Sequence, residues 1–180
     1  MVARTIRTVI TLVSTLWLAL ASAHDTTVTY HNEAFGFSLE HPADWEALEG
    51  GAERNIVDLF DDSGLGFVSV SVYPLEDLAD VLAALDEEAL VDVLLEGQVV
   101  FVEDLVMRDG TPIQIAGVDA WVRHFDGMSA QRAGAAQTGT LSVAMTDDLL
   151  VVLFMQANTT AIEPYRTVFD GVAASFALAR

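Results

Sequence analysis

Leu149 to Met155 is apolar without interruption, and this run constrains the fold more than any other part of the chain. A strand-length stretch with no polar face has to be covered on both sides, so it predicts a central strand inside a layered domain. The turn Thr146-Asp147-Asp148 precedes it, and Thr140 to Met145 beyond that turn supplies an antiparallel neighbour. The covering layers are also readable. After Pro74, the residues Leu75, Leu78, Leu82, Leu85, Ala89 and Val93 recur at three- and four-residue steps up to Gly97, predicting a helix with one buried stripe and an acidic outer face. A second helix, opened by Pro164, carries Tyr165, Val168, Phe169, Val172 and Phe176. Two such helices around a mainly antiparallel sheet predict an α/β fold of the α/β/α sandwich type.

The remaining strands follow from alternation and turn residues. Thr26–Tyr30 and Phe35–Pro42 flank a polar turn and read as a hairpin, with Trp45 folding back onto the sheet. Ile56–Phe60 and Phe67–Tyr73 flank Asp61-Asp62-Ser63-Gly64 as a second hairpin, in which Val68, Val70 and Val72 share one face. Val99–Met107 and Gly117–Phe125 are further strands, separated by the turn-rich 108–112 segment. Gly127–Thr138, small and polar, reads as an exposed loop.

The N-terminus carries Arg4 and Arg7, an apolar run from Thr8 to Leu20, and the small-residue pattern Ala21-Ser22-Ala23. This is the layout of a cleaved signal peptide over residues 1–23, followed by a single domain over 24–180. The apolar run is shorter than the roughly 20 residues that span a bilayer; an uncleaved anchor is the alternative, and after cleavage no stable membrane anchor is expected. The expected location is periplasmic or secreted. With no cysteine in the chain, neither a disulfide nor a lipid-modified cysteine is available, so the core alone must hold the domain together. The formal net charge is −19, with every acidic residue after Ala23, which excludes nucleic acid as a partner.

The string from Thr29 to Glu46 resembles the opening of the PsbP-like superfamily, the fold shared by the photosystem II extrinsic protein PsbP and the Ran-binding protein Mog. Tyr30, Gly36, Phe37, Pro42 and Trp45 carry that resemblance, and Tyr165, Phe169, Ser175 and Phe176 match the closing aromatic helix. The resemblance implies an α/β/α sandwich and the role of a bacterial extracytoplasmic binding or accessory module. Its matching residues are structural and bring no chemistry with them.

Candidate sites are few. Asp58, Asp61 and Asp62 gather oxygen ligands near a turn, as calcium or manganese prefers, although the spacing is not that of an EF-hand; a solvated turn is the plainer reading. Cleavage after Ala23 would expose His24, whose amine and imidazole suit copper if His31, His41 or His124 comes close; a frayed terminus is the plainer reading. The carboxylates Glu76, Asp77, Asp80, Asp86, Glu87, Glu88, Asp92 and Glu96 form either a loose cation surface or a solvated helix face. Tyr30, Trp45 and Trp121 are either pocket walls or core. Arg123 and His124 fall on opposite faces of one strand. No nucleophile elbow, phosphate loop, zinc-protease helix or dinucleotide fingerprint is present. The sequence therefore predicts a non-enzymatic module whose partner is another envelope or secreted protein, with divalent-cation binding as the alternative.

Overall fold

The computed structural model describes residues 26–50, 56–79, 85, 87–97, 102–130 and 134–179. In chain order these form β1 (Thr27–Asn32), β2 (Phe37–Pro42), β3 (Glu46–Gly50), β4 (Ile56–Phe60), β5 (Gly66–Pro74), a 3-10 turn (Leu75–Leu78), α1 (Glu87–Gly97), β6 (Val102–Met107), β7 (Thr111–Ile115), β8 (Val118–Ser129), β9 (Ala136–Met145), β10 (Leu149–Asn158), a second 3-10 turn (Thr159–Ala161), α2 (Ile162–Ser175) and β11 (Ala177–Leu178). The large sheet runs β3-β4-β5-β10-β9-β8-β6, with β7 also paired to β8. All its pairs are antiparallel.

The apolar run sits in β10, between β5 and β9, and Leu150 to Met155 are all buried. Alternation sorts its side chains between two layers. Val151, Leu153 and Met155 join Val57, Leu59, Val68, Val70 and Val72 beneath Tyr165, Val168, Phe169 and Val172 of α2. Leu150, Val152 and Phe154 point the other way, to Phe125, Leu141 and Val143 and to Leu90 and Val91 of α1. The arrangement is an α/β/α sandwich, and each fully buried Leu, Val or Phe contributes roughly 1.5–3 kcal/mol to it. Among the described residues no helix is long and apolar enough to cross a membrane.

The opening hairpin does not join the large sheet. β1 and β2 make a separate three-stranded sheet with β11, which returns antiparallel onto β2 after α2. Phe176 leaves the helix to stack on Phe37 at 5.7 Å between ring centroids, which adds an aromatic contact to the β2–β11 pairing. Trp45 folds inward as expected, 4% exposed and 6.0 Å from the Tyr165 ring.

Three expectations change. The single helix from Leu75 to Gly97 is interrupted: Leu75–Leu78 is a 3-10 turn, Leu85 is not helical, and α1 begins at Glu87. Its buried stripe is Leu90, Val91 and Leu94, whereas Val93 is 47% exposed. Leu75, Leu78 and Leu85 still pack on the same cluster, because hydrophobic spacing records burial and not continuity of backbone hydrogen bonding. The 127–138 loop is much shorter than expected, since β8 and β9 keep pairing through Gly127↔Gln137 and Met128↔Ala136. Finally, the 108–112 turn leads into an unexpected strand, β7, which tolerates Pro112 because it lies at an edge beside β8. Ala116 and Gly117, both at positive φ (54° and 76°), make the two-residue turn that joins β7 to β8.

Candidate functional site

Helix α2 packs against β2 and β10 and leaves a groove of about 350 Å³ between its flank and strands β8 and β9. His124 of β8, Thr140 and Ser142 of β9, and Met155 of β10 face into it; Arg108 and Ile113 form one wall, and Ile162, Arg166, Phe169 and Asp170 of α2 the other. The lining mixes an apolar floor with a few polar groups, the usual make-up of a ligand-binding concavity.

Arg108 is the best-fixed of these groups. Its backbone N–H donates to the His124 carbonyl at 2.9 Å, and its own carbonyl accepts from Arg123 Nη1 at 3.2 Å. Its Nε donates to Asp126 Oδ2 at 3.1 Å, and its Nη2 pairs with the same oxygen. This pairing is the main reason that the Asp126 carboxyl is held below the usual carboxylate range, with Thr138 and His124 contributing less. Among the described residues Arg166 is held only by Glu163 one turn earlier, at 3.4 Å and with both side chains exposed, a contact of little energetic weight. Among the described residues no hydrogen bond joins His124 to the hydroxyls of Thr138, Thr140 or Ser142; Thr138 donates instead to the Phe125 carbonyl.

Of the candidate ion ligands Asp58, Asp61 and Asp62, the first two point to opposite faces of the sheet. Asp58 lies opposite Ser69 within the sheet and alternates with the buried Val57 and Leu59, so it projects away from α2. Burial pushes its carboxyl up, against a smaller opposing effect of the Ser69 hydrogen bond. Asp61 instead projects towards α2, where its carboxylate accepts from the Tyr165 hydroxyl, from Ser63 Oγ at 2.5 Å and from the Gly66 N–H at 3.2 Å. Its oxygens therefore serve to tie the β4–β5 turn to α2. Gly66 is required there, since a Cβ would lie 2.2 Å from the Tyr165 ring. Among the described residues no three or more His, Asp or Glu side chains gather as they would around a metal ion.

The tie has a pH signature. Burial raises the Asp61 carboxyl, but its hydrogen bonds from Ser63, Tyr165, Gly66 and Leu65 together outweigh that, leaving it below its ordinary 3.8. A depressed carboxyl stabilises the fold above its unfolded value, and the contribution is lost as pH falls through the lower folded value. Tyr165 is pushed up to about 12 from 10.0, by burial first and by Asp61 second, so its contribution holds below pH 10.0 and is lost as pH rises towards 12. Asp61→Asn is expected to lower the melting temperature at pH 7 and to reduce the loss of stability on the acid side below about pH 4. Thermal melts across pH check this, and an acid limb unchanged from wild type would remove the assignment.

The other sequence candidates separate in space. His24 lies outside the described residues, as do Asp80 and Asp86. His31 is on β1, His41 is buried on β2 with Nδ1 2.9 Å from the Pro42 carbonyl oxygen, and His124 is in the groove. Tyr30 belongs to the small sheet, where its hydroxyl donates to Glu49 at 3.1 Å. Trp45 packs with Tyr165, whereas Trp121 packs on the opposite face of the sheet, so these aromatics line no common pocket. Arg123 and His124 do face opposite ways. Arg123 pairs with Asp92 through Nε at 2.9 Å and Nη2 at 3.1 Å, which pins α1 to β8 and gives one of the helix carboxylates a structural role. The sequence reading missed the groove, because its residues lie on five separated segments.

This sandwich, with its opening hairpin closed by the strand after the last helix, is a PsbP-like fold. No family model matches the chain, and no curated protein matches it in sequence. Solved structures do match. Cyanobacterial PsbP (CyanoP) from Synechocystis has a TM-score of 0.58 at 15% identity, over 85% of this chain and 92% of that one. The Saccharomyces cerevisiae Ran-binding protein Mog1p has a TM-score of 0.56 at 10% identity, over 85% and 95%. LpqN of Mycobacterium tuberculosis, involved in cell envelope biogenesis, has a TM-score of 0.51 at 11% identity, over 86% and 91%. Identities this low establish the fold alone.

Proposed function

We propose that this chain is an extracytoplasmic, non-catalytic binding domain that docks another envelope or secreted protein along the groove between α2 and β8–β9. The observation that carries the reading is the incomplete cover of the sheet on the α2 side, which leaves a concave, half-apolar surface open. The adjoining edge strand adds apolar surface on the same side, with Val106, registered opposite Asp126, 61% exposed. His124 is not joined to a hydroxyl nucleophile within the groove, which favours binding over acyl-transfer chemistry. The leader-like Arg4–Ala23 segment supports export. One relative in fold is a Ran-binding protein and another is involved in cell envelope biogenesis, so the same frame serves such roles elsewhere, which supports the reading by analogy.

Site-specific photo-cross-linking in the producing cell tests it. A photoreactive side chain at Thr140, inside the groove, is expected to capture one exported protein. The same group at Leu48, which is 47% exposed on β3 at the opposite edge of the sheet, is expected to capture none. Equal capture from both positions, or none from Thr140, would dismiss groove docking.

A further inference from the structure

We infer that the groove takes an amphiphilic carboxylate, a small molecule whose anionic headgroup sits between Arg108, Arg166 and His124 while its apolar body lies on Ile113, Met155 and Phe169. The inference rests on the groove being the binding surface, and it adds a ligand chemistry that protein docking does not itself require.

The distribution of cations carries the inference. The chain has 27 acidic residues against 8 arginines, so a wall carrying two of those arginines stands out among the described residues. Of the three arginines among the described residues, Arg123 is committed to Asp92 on the other face of the sheet, and the other two line this groove. Neither is used up. Asp126 takes Nε and Nη2 of Arg108 and leaves Nη1, and the Arg166–Glu163 contact is long and exposed. An arginine fork with donors to spare is the group best matched to a carboxylate. The overall negative charge opposes any anion at long range, but it is screened beyond about 8 Å at physiological salt, so the local donors decide.

The same wall limits the ligand. Asp126 paired with Arg108, and Glu163 with Arg166, offset part of the guanidinium charge, and Asp170 adds a carboxylate to the lining. A headgroup with one negative charge is therefore matched, whereas a doubly charged phosphate meets carboxylate repulsion. Half-buried Ile113, with Met155 and Phe169 closing the floor beneath it at 2% and 7% exposure, gives the tail an apolar bed, and the volume of about 350 Å³ is that of a small-ligand site.

Calorimetric titration of the protein with decanoate, decanol and decyltrimethylammonium at physiological salt, the two ions below their micelle concentrations and decanol below its solubility limit, tests the inference. Decanoate is expected to saturate one site at least about tenfold more tightly than the other two, the difference that one charge-assisted contact supplies. The double variant Arg108→Gln, Arg166→Gln should erase that preference, and Thr140→Phe, which fills the groove and keeps both arginines, should abolish binding. Both variants are read alongside their melting curves, and the comparison of ligands on wild type stands without either. Equal binding of decanoate and decanol would overturn the headgroup assignment while leaving the groove as a binding surface. No binding of decanoate, together with cross-linking from Thr140, would overturn the amphiphile and leave protein docking in place. Binding of an apolar peptide with a free C-terminus but not of decanoate would likewise overturn the small-molecule assignment.

Discussion

Gly139→Ala is expected to destabilise the fold by about 3 kcal/mol, towards the upper end of what overpacking costs. Gly139 lies on β9 between Phe125 of β8 and Gln156 of β10, so strands flank it on both sides. A Cβ there would sit 2.0 Å from the Met155 carbonyl oxygen, 2.6 Å from Phe125 Cζ and 3.0 Å from the Gln156 Cα. Two of these three obstacles are backbone atoms of the central strand and cannot rotate away. The third is a ring that is 0% exposed and stacked on Phe154 at 5.3 Å with an interplanar angle of 3°, so it has nowhere to move. Glycine is needed here because the Phe125 ring occupies the space that a side chain at 139 would take. At this size of domain the melting temperature should fall by roughly 10 °C. A fall of less than about 2 °C in a thermal melt would show that the strands give way more easily than their packing implies.

Phe154→Ala is expected to cost about 3–5 kcal/mol. Phe154 is 2% exposed on β10 and joins two aromatic neighbours, Phe125 by stacking and Phe67 edge-on at 6.2 Å. Its removal leaves a cavity between the sheet and α1 that rigid strands on either side cannot collapse to fill. Phe154→Leu should recover much of the loss, since it restores most of the volume. Urea denaturation measures both. If Phe154→Ala cost less than about 1 kcal/mol, the α1 layer would have to be loosely packed and Phe154 would not be its anchor.

The elements that were legible beforehand are those whose burial is written in local spacing. β10 is continuous in apolar side chains because layers lie on both of its faces. The alternation of Val68, Val70 and Val72 places all three beneath α2, and Tyr165, Val168, Phe169 and Val172 form that helix's buried stripe. β7 was not legible, because an edge strand carrying a proline and having one half-buried face leaves only a weak alternation. The 127–138 segment has the look of a loop for a related reason. Small and polar residues such as Gly127, Gln137 and Thr138 have the composition of a loop, yet they pair as strands because the long partners β8 and β9 supply their hydrogen bonds.

Asp61 shows the same division at a single residue. Its type and its place near a turn made it a plausible ion ligand, and only the arrival of Tyr165, more than a hundred residues later, shows that its oxygens close the β4–β5 turn onto α2. The groove is an extreme case: Arg108, His124, Thr140, Met155 and Arg166 come from five segments, and no spacing rule relates them. The central strand, the α2 stripe and the net charge were legible along the chain, because burial and charge are properties each residue carries on its own element. The tertiary structure alone decided which cations meet, which carboxylates are occupied and where the sheet is left uncovered, because these depend on distances between segments that local periodicity does not encode.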